Sequence, residues 1–188
     1  GGIALNLYGK SHRQSKAIIR DAAKSVVEQA KRAGKPIVLE QLDFQAKRRA
    51  LKGANPKYAR MLSSFAYNSI LSAIKSRAYR EGVEVLEVNP AYTSLLGRLK
   101  FAKRYGISIH QAAALCIARR ISKYSEALPR QTVVPDARGG MFAFAVPVRN
   151  QHRSKRAHLG QVQRKFRVAL AEHLRVARSQ SVGPSGPT

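Results

Sequence analysis

The spacing of apolar residues along the chain predicts an alternation of strands and helices. Apolar side chains alternate with smaller or polar ones over residues 3–7, which predicts a strand that ends in a turn at Gly9. Residues 15–33 have apolar side chains at helical spacing, and Gly34 follows them, so they predict an amphipathic helix. Residues 36–44 are too few for a helix and apolar enough for a buried central strand. A helix followed by a buried strand favours a parallel α/β connection.

The same alternation continues through the next eighty residues. A long helix is predicted over residues 57–81, and a half-exposed strand over residues 83–88. A short helix over residues 95–105 and an alanine-rich helix over residues 108–123 follow. The pattern therefore predicts an α/β fold, with a mixed sheet flanked by helices, over residues 1–125.

The pattern changes after residue 125. Prolines and glycines between Leu128 and Gly140, and a basic segment after them, predict an irregular basic extension over residues 126–159. Residues 160–178 return to helical spacing with basic residues on the other faces, which predicts a C-terminal amphipathic basic helix. The composition of residues 179–188 predicts a disordered tail.

The charge of the chain indicates a polyanionic partner. The sequence has 35 lysines and arginines against 10 acidic residues, a net charge of +25 and a pI near 11.2, yet 44% of its residues are apolar. A folded domain with this excess repels itself, and a phosphate backbone relieves the repulsion. Nucleic acid is therefore the expected partner; an over-charged soluble domain and a protein bound to anionic lipid are the alternatives.

Other features of the composition narrow the cellular setting. The sequence has no apolar run of about 18 residues and no signal-peptide pattern, so we expect a cytoplasmic protein that does not span a membrane. The single cysteine, Cys116, lies in an apolar helical stretch and is expected to be a buried thiol. One cysteine allows neither an internal disulfide nor a zinc site made of cysteines.

Two carboxylates follow the apolar part of the predicted central strand. Glu40 is placed at its C-terminal end, and Asp43 comes three residues later. In open α/β sheets ligands bind at that end of the strands, and Mg²⁺ prefers oxygen ligands. Glu40 and Asp43 are therefore candidate catalytic residues, with Glu40 a candidate metal ligand. The alternative is that Glu40 pairs with one of the many nearby cations.

Four motifs occur in order along the first two thirds of the chain. They are IVLEQLDF at residues 37–44, SSFAY at residues 63–67, VNPAYTS at residues 88–94 and HQAAALCIARR at residues 110–120. Together they resemble the RuvC-like half of the TnpB (OrfB) proteins. These are transposon-encoded proteins of bacterial insertion sequences, related to the type V CRISPR effector nucleases. The resemblance covers roughly residues 1–125.

The resemblance implies a ribonuclease-H-like (RuvC-like) fold with a two-metal site for Mg²⁺ or Mn²⁺. In that fold a first strand carries an aspartate, a later strand a glutamate and a helix a final aspartate. Glu40 matches the glutamate, and His110 takes the place of the final aspartate, before Ala112 and Ala113. The resemblance thus makes His110 an auxiliary metal ligand or base. The alternative is that His110 is simply a polar residue at the start of a helix.

The chain departs from the family pattern in two places. The resemblance implies an aspartate on the first strand, and because no aspartate precedes Asp21, we expect it upstream of Gly1. Many family members carry a four-cysteine zinc ribbon after the equivalent of Thr93 and Ser94, and this sequence has no cysteine there. These departures indicate a divergent TnpB-related branch without the ribbon.

Clustered cations are the candidate nucleic-acid contacts. They are Lys47, Arg48, Arg49, Lys52, Arg98, Lys100, Lys103, Arg104, Arg119, Arg120, Arg153, Lys155 and Arg156. Five aromatic residues near them are candidates for stacking on unpaired bases, with buried packing as the alternative: Tyr58, Tyr92, Phe101, Tyr105 and Tyr124.

The sequence thus supports one leading hypothesis and two alternatives. The leading one is a nucleic-acid-binding RuvC-like domain of a TnpB-type transposon protein, whose parent is a metal-dependent DNA endonuclease. Kinship with RNA-guided nucleases implies DNA and a guide-like RNA as partners, in the nucleoid of a bacterial cytoplasm. The alternatives are a non-catalytic DNA- or RNA-binding module and a ribosomal or RNA-chaperone-like protein.

Overall fold

The fold was analysed in a computed structural model. It describes residues 2–41, 64–124, 126–136 and 140–181. The chain divides into two compact units, an N-terminal unit (Gly1–Pro90) and a C-terminal unit (Ala91–Thr188). In the described residues each unit combines helices with a two-stranded sheet. The α/β class predicted from the sequence is therefore confirmed.

The N-terminal unit alternates helices and strands. Helix α1 (His12–Ala33) is followed by strand β1 (Ile37–Glu40), helix α2 (Ser64–Glu81) and strand β2 (Val85–Val88). A capping box at Ser11 begins α1, because its hydroxyl accepts a hydrogen bond from the third residue of the helix and that residue's side chain reciprocates. These two helices and two strands lie at or within a few residues of the ranges that the hydrophobic pattern predicts. Residues 42–63, which include the end of the predicted central strand and the start of the predicted long helix, lie outside the described residues.

Strands β1 and β2 form a parallel pair. Ile37 lies opposite Val85, and Glu40 lies opposite Val88. Parallel neighbours need a long crossover connection, which here includes α2. Apolar side chains of α1, α2 and β1 make the core of the unit: Ala23, Val27, Ile37, Ile74 and Ala78. The parallel α/β connection expected from the sequence is thus present.

The strand predicted over residues 3–7 is wrong. These residues have neither helical nor strand structure, and Ile3 is exposed. The chain turns at Tyr8 and Gly9, where Gly9 has a positive φ of 70°. Apolar alternation shows only that one face could be buried, whereas a strand also needs a neighbour to bond with. Among the described residues, no strand pairs with residues 3–7.

The C-terminal unit begins with a continuous helical segment of changing pitch. Helix α3 (Thr93–Leu96) runs directly into a π-helix (Gly97–Ala102) and then into α4 (Lys103–Tyr105), with helical backbone angles at both junctions. Tyr92 precedes α3 in the left-handed region, with φ of 63°. Helix α5 (Ile109–Ile121) follows. The two helices predicted for this part of the chain are present.

A β-hairpin occupies part of the segment predicted to be irregular. Strands β3 (Gln131–Pro135) and β4 (Met141–Ala145) pair in antiparallel orientation. Phe142 and Phe144 are buried in the core, while Met141, Ala143 and Ala145 are exposed. This is the period-two pattern of a half-buried strand. The prolines and glycines around it mark the ends of the hairpin rather than the absence of structure.

The C-terminal helix is longer than predicted. Helix α6 (Lys155–Ser181) begins five residues before the predicted start at residue 160 and includes the first residues of the predicted tail. Residues 182–188 lie outside the described residues. A search of the described helices for an apolar stretch able to span a bilayer finds none.

Two adjoining groups of buried side chains form the core of the C-terminal unit. Tyr92 and Leu128 pack against both groups and connect them. The first group lies mainly between the hairpin and α6: Leu95, Leu99, Val134, Phe142, Phe144, Val146, Val162 and Phe166. The second lies mainly between the π-helix and α5: Leu96, Phe101, Ala102, Ala112, Cys116 and Leu159. Cys116 is one of these buried core residues, as predicted. Burial and the charge of Glu126 raise the pKa of its thiol to about 11.

Gly97 allows the π-helix to approach α5 closely. A Cβ atom at this position would lie 2.6 Å from the carbonyl carbon of Ala112 and 2.8 Å from its oxygen. Both are backbone atoms of a helix, which cannot move as a side chain can. The contact therefore requires glycine at position 97.

We expect Gly97→Ala to lower the free energy of unfolding by about 1–3 kcal/mol, because the added methyl overpacks the helix contact. Urea denaturation followed by circular dichroism measures this change. Gly160→Ala is the matched control, since its methyl meets only side-chain atoms, the Tyr92 hydroxyl at 3.3 Å and a guanidinium nitrogen of Arg164 at 3.9 Å, and alanine favours helix α6. Equal stability of the two variants would contradict the packing explanation.

Candidate functional site

Glu40 lies at the C-terminal end of β1, as the sequence predicts, and the phenol of Tyr67 forms a hydrogen bond with its carboxylate. Its carboxylate is half-buried and accepts a hydrogen bond of 2.5 Å from the hydroxyl of Tyr67 on α2. Burial, this hydrogen bond and the negative charge of Glu40 raise the pKa of Tyr67 above the usual tyrosine value. The phenol therefore remains protonated and remains a donor at neutral pH. Among the described residues, no cation forms a salt bridge with Glu40.

The contact joins two of the sequence motifs. Glu40 belongs to IVLEQLDF and Tyr67 to SSFAY, which the sequence analysis singled out separately. It did not predict that these two side chains would meet. A glutamate and a tyrosine 27 positions apart carry no local signal of a contact, because the contact follows from how α2 packs on the sheet.

The described residues of the N-terminal unit include neither of the other candidate catalytic residues. Asp43 lies outside them, and His110 is an exposed residue near the start of α5, in the C-terminal unit. Within the described ranges, no group of three or more His, Cys, Asp or Glu side chains could hold a metal ion. Mg²⁺ needs several oxygen ligands, and Glu40 supplies one carboxylate. The described residues therefore do not by themselves make a complete site.

A buried carboxylate in the C-terminal unit binds two of the candidate nucleic-acid contacts. The side chain of Glu126 is only 6% exposed, and its two oxygens accept hydrogen bonds from Lys100 and Arg119 separately. Burial acts to raise the pKa of Glu126, but the hydrogen bonds and charges of Lys100 and Arg119 outweigh it and lower the pKa. Lys100 and Arg119 therefore stabilise the fold. Glu126 was not among the residues predicted from the sequence, because its pairing with Lys100 joins positions 26 residues apart and depends on how the segments pack.

The other candidate cations divide into partly buried and exposed ones. Arg98 lies over the ring of Phe166 and Arg120 donates to the carbonyl oxygen of Ala91; burial lowers the pKa of both guanidinium groups. Lys155 is half-buried. The exposed ones are Lys103, Arg104, Arg153 and Arg156. Four candidates lie outside the described residues: Lys47, Arg48, Arg49 and Lys52.

Three aromatic residues of the C-terminal unit form a cluster with arginines. Phe101 is buried and stacks on Tyr105, with ring centroids 5.9 Å apart. The guanidinium of Arg119 lies 4.4 Å from the ring centre of Tyr124, and that of Arg104 lies 5.6 Å from the ring centre of Tyr105. Tyr105 and Tyr124 are 53% and 57% exposed, so their rings remain accessible. We call Phe101, Tyr105 and Tyr124 the aromatic cluster.

The other two aromatic candidates do not join this cluster in the described residues. Tyr92 is half-buried and packs against the core, which is the buried-packing alternative considered from the sequence. Tyr58 lies outside the described residues.

Helix α6 exposes a set of cations that we call the α6 basic surface. Its members are Arg156, Arg164, Lys165, Arg167 and Arg175. Glu172 is the single acidic residue in the sequence of this helix. The sequence predicts a basic helix here, with cations clustered from Arg164 to Arg178, although Arg156 alone of this set is among the candidate nucleic-acid contacts. Their helical spacing, opposite the apolar residues, is the signal that identifies the rest.

The acidic residues of the C-terminal unit do little to neutralise its surface. Its sequence contains eighteen lysines and arginines and three acidic residues. Besides Glu126, Asp136 is buried, where it accepts a hydrogen bond from the Gly140 amide and lies 2.8 Å from Nε2 of His173. Only Glu172 is exposed. The carboxylates thus organise the interior, and the exterior stays strongly cationic.

Comparison of the chain with protein-family models, with curated proteins and with solved structures finds no match. The cationic exterior, the aromatic cluster and the Glu40–Tyr67 pair are therefore interpreted from their own chemistry.

We expect Glu126→Gln to lower the free energy of unfolding at neutral pH by about 1–3 kcal/mol, because Lys100 and Arg119 lose their charged acceptor. The pKa of Glu126 is lower in the folded chain than its usual value of 4.5, so its contribution is present above pH 4.5 and is lost as pH falls through the folded value. The difference between wild type and variant should therefore shrink in acid.

Urea denaturation at a series of pH values measures this difference. Glu172→Gln, at an exposed position of α6, controls for the loss of one carboxylate. A difference between wild type and Glu126→Gln that stays constant down to the lowest pH would contradict the ion-pair explanation.

Proposed function

We propose that the protein binds nucleic acid through the phosphate backbone, with the α6 basic surface as the main contact. The observation that carries this proposal is the separation of charge in the C-terminal unit. Two of its three acidic residues are buried and bonded inside, while the cations of α6 face outward. A surface of this kind attracts a polyanion and releases its counterions on binding.

The dimensions of α6 suit a phosphate backbone. Its 27 residues span about 40 Å, and the cations recur along most of this length. Duplex DNA carries one phosphate charge per roughly 1.7 Å of its axis, so several contacts can form at once. Contacts to phosphates carry no sequence information, so we expect binding with little sequence preference and a steep salt dependence.

The aromatic cluster supports contact with unpaired bases as well. Exposed tyrosine rings beside arginines provide stacking surfaces, which every base can use. Stacking contributes about 1–3 kcal/mol per base in proteins that bind single strands. We therefore expect single-stranded DNA or RNA to bind at least as tightly as duplex DNA.

We expect the triple variant Arg164→Gln, Lys165→Gln, Arg167→Gln to weaken binding and to reduce the slope of log affinity against log salt by about 2 to 3. Fluorescence anisotropy with a labelled oligonucleotide, repeated at several salt concentrations, measures both quantities. The control is a triple variant that removes the same charge from α1, at the exposed positions Arg13, Lys16 and Arg20. Equal effects of the two triple variants would show that net charge, and not the α6 basic surface, determines binding.

The second function that we propose is metal-dependent cleavage of DNA, as in the TnpB proteins that the four motifs resemble. The observation that favours it is the position of Glu40 at the C-terminal end of a parallel strand, held by Tyr67 from a second motif. Glu40 would provide one ligand to Mg²⁺ or Mn²⁺, with Asp43 and His110 as further candidates. Such an ion stabilises the charge that develops during phosphodiester hydrolysis. A guide-like RNA would then be a partner beside the DNA.

We expect Glu40→Gln to abolish nicking of single- and double-stranded DNA in the presence of Mg²⁺ or Mn²⁺. Tyr67→Phe should reduce the rate less, because it removes only the group that positions Glu40. Glu84→Gln is the control, since it changes an exposed carboxylate just before β2. Gel analysis of nicked product measures the rates. Equal activity of wild type and Glu40→Gln would exclude Glu40 as a ligand, and an inactive wild type that still binds would favour the non-catalytic module.

A further inference from the structure

A cavity of about 280 Å³ lies at the start of helix α6, within the C-terminal unit. We call it the α6 cavity. Three segments form its wall: residues 126–130, which precede β3, residues 146–149, which follow β4, and the first residues of α6. The residues of its wall do not include Glu40 or Tyr67, and they include none of the α6 basic surface or the aromatic cluster.

The α6 cavity has a positive electrostatic character. Arg130, Arg149 and Lys155 are part of its wall. Burial and the charges of Arg149 and other cations lower the pKa of Lys155, against the opposing effect of Glu126. An anion in the cavity would offset the positive charges of these three side chains.

Glu126 also lines the cavity, but it does not make the cavity repel anions. Both of its carboxylate oxygens already accept hydrogen bonds from Lys100 and Arg119. Two positive charges therefore surround one negative charge at this part of the wall. The local sum, with Arg130, Arg149 and Lys155 included, is positive.

His158 provides an independent indication of a ligand. It is 9% exposed and forms part of the cavity wall, and its Nδ1 atom is buried with no hydrogen-bond partner among the described residues. A buried polar atom without a partner costs about 1–3 kcal/mol, so a hydrogen bond to this imidazole would offset that cost. Burial and the charge of Arg149 lower the pKa of His158.

The start of α6 adds a further preference for anions. Ser154 caps the helix, and its hydroxyl accepts a hydrogen bond from the amide of Ala157. The positive end of the helix dipole therefore lies at the cavity, beside Lys155 and His158. Helix N-termini with adjacent cations commonly bind phosphate groups.

Apolar residues make the rest of the wall, so the cavity suits more than a bare ion. They are Ala127, Leu128, Pro129, Val146, Pro147, Val148 and Leu159. A small inorganic anion would leave these surfaces without a contact. A cavity of this volume is at the lower limit for organic ligands, which typically occupy about 300–1,000 Å³. The best match is an organic group of about the size of one nucleotide that carries a phosphate.

We propose that the α6 cavity binds a phosphomonoester of nucleotide size, with the phosphate at Arg149, Lys155 and His158 and the organic group on the apolar wall. A free mononucleotide and the phosphorylated end of a nucleic-acid strand share this chemistry. Only the second source depends on the proposed nucleic-acid binding.

Calorimetric titration of the full chain tests the proposal with three probes: a nucleoside monophosphate, the same nucleoside without phosphate, and inorganic phosphate. We expect the monophosphate to bind at least tenfold more tightly than either of the other two, because only it uses both parts of the wall. Equal affinity for inorganic phosphate would overturn the organic part of the proposal, and no binding of the monophosphate would overturn the whole.

Variants locate the site. Arg149→Gln and Lys155→Gln should each weaken monophosphate binding at least fivefold, while Arg153→Gln, an exposed neighbour outside the cavity wall, should leave it unchanged. Nuclear magnetic resonance adds a direct test, because the imidazole signal that is missing in His158→Gln should shift when the monophosphate binds to the wild type. Equal effects of Arg149→Gln and Arg153→Gln, or an unmoved His158 signal, would overturn the assignment.

A pair of oligonucleotides with and without a 5′-phosphate distinguishes the two sources. Tighter binding of the phosphorylated strand, lost in Arg149→Gln, would identify a strand end as the ligand. Equal binding of both strands, with the free monophosphate still bound, would identify a free nucleotide. The α6 triple variant separates this proposal from the previous one, since it should lose oligonucleotide binding and keep monophosphate binding.

Discussion

The buried carboxylate of Glu126 holds together parts of a unit whose charged residues are mainly cations. It bonds to Lys100 of the π-helix and to Arg119 of α5, and it anchors the segment that leads into the hairpin. A single side chain therefore connects the π-helix, α5 and the segment before β3, and it is also part of the wall of the α6 cavity. A buried charge is tolerated only when it is fully paired, and here both oxygens have a cationic donor.

This use of carboxylates inside the protein has a consequence for its surface. Each carboxylate that is buried and paired in the interior leaves one fewer carboxylate to neutralise the cations on the surface. The C-terminal unit therefore carries a self-repulsion that partly opposes its own packing. A bound polyanion removes that repulsion, so binding and folding stability are thermodynamically linked. The charge on which the proposed nucleic-acid binding rests would therefore also make the protein more stable when a polyanion is bound.

The sequence predicts local structure well where the signal is local. The caps at Ser11 and Ser108 and the apolar spacing of α1 and α5 are contained in short stretches, and these helices form where expected. Glu40 occupies the predicted end of its strand. The predicted strand at residues 3–7 is wrong because pairing depends on a partner, and the hairpin was missed because prolines and glycines obscured its alternation. The contacts of Glu126 and Tyr67 join residues distant in the chain, which no local pattern encodes.

Tyr92 illustrates how such contacts restrict a single position. Its backbone lies in the left-handed region at φ of 63°, where glycine is favoured and a bulky side chain is strained. Yet its ring packs against both halves of the core of the C-terminal unit. Glycine would relax the backbone but leave a void between the two halves, and a small side chain would keep the strain without the packing. The tolerance for mutation at position 92 is therefore narrow, because its two requirements favour opposite kinds of residue.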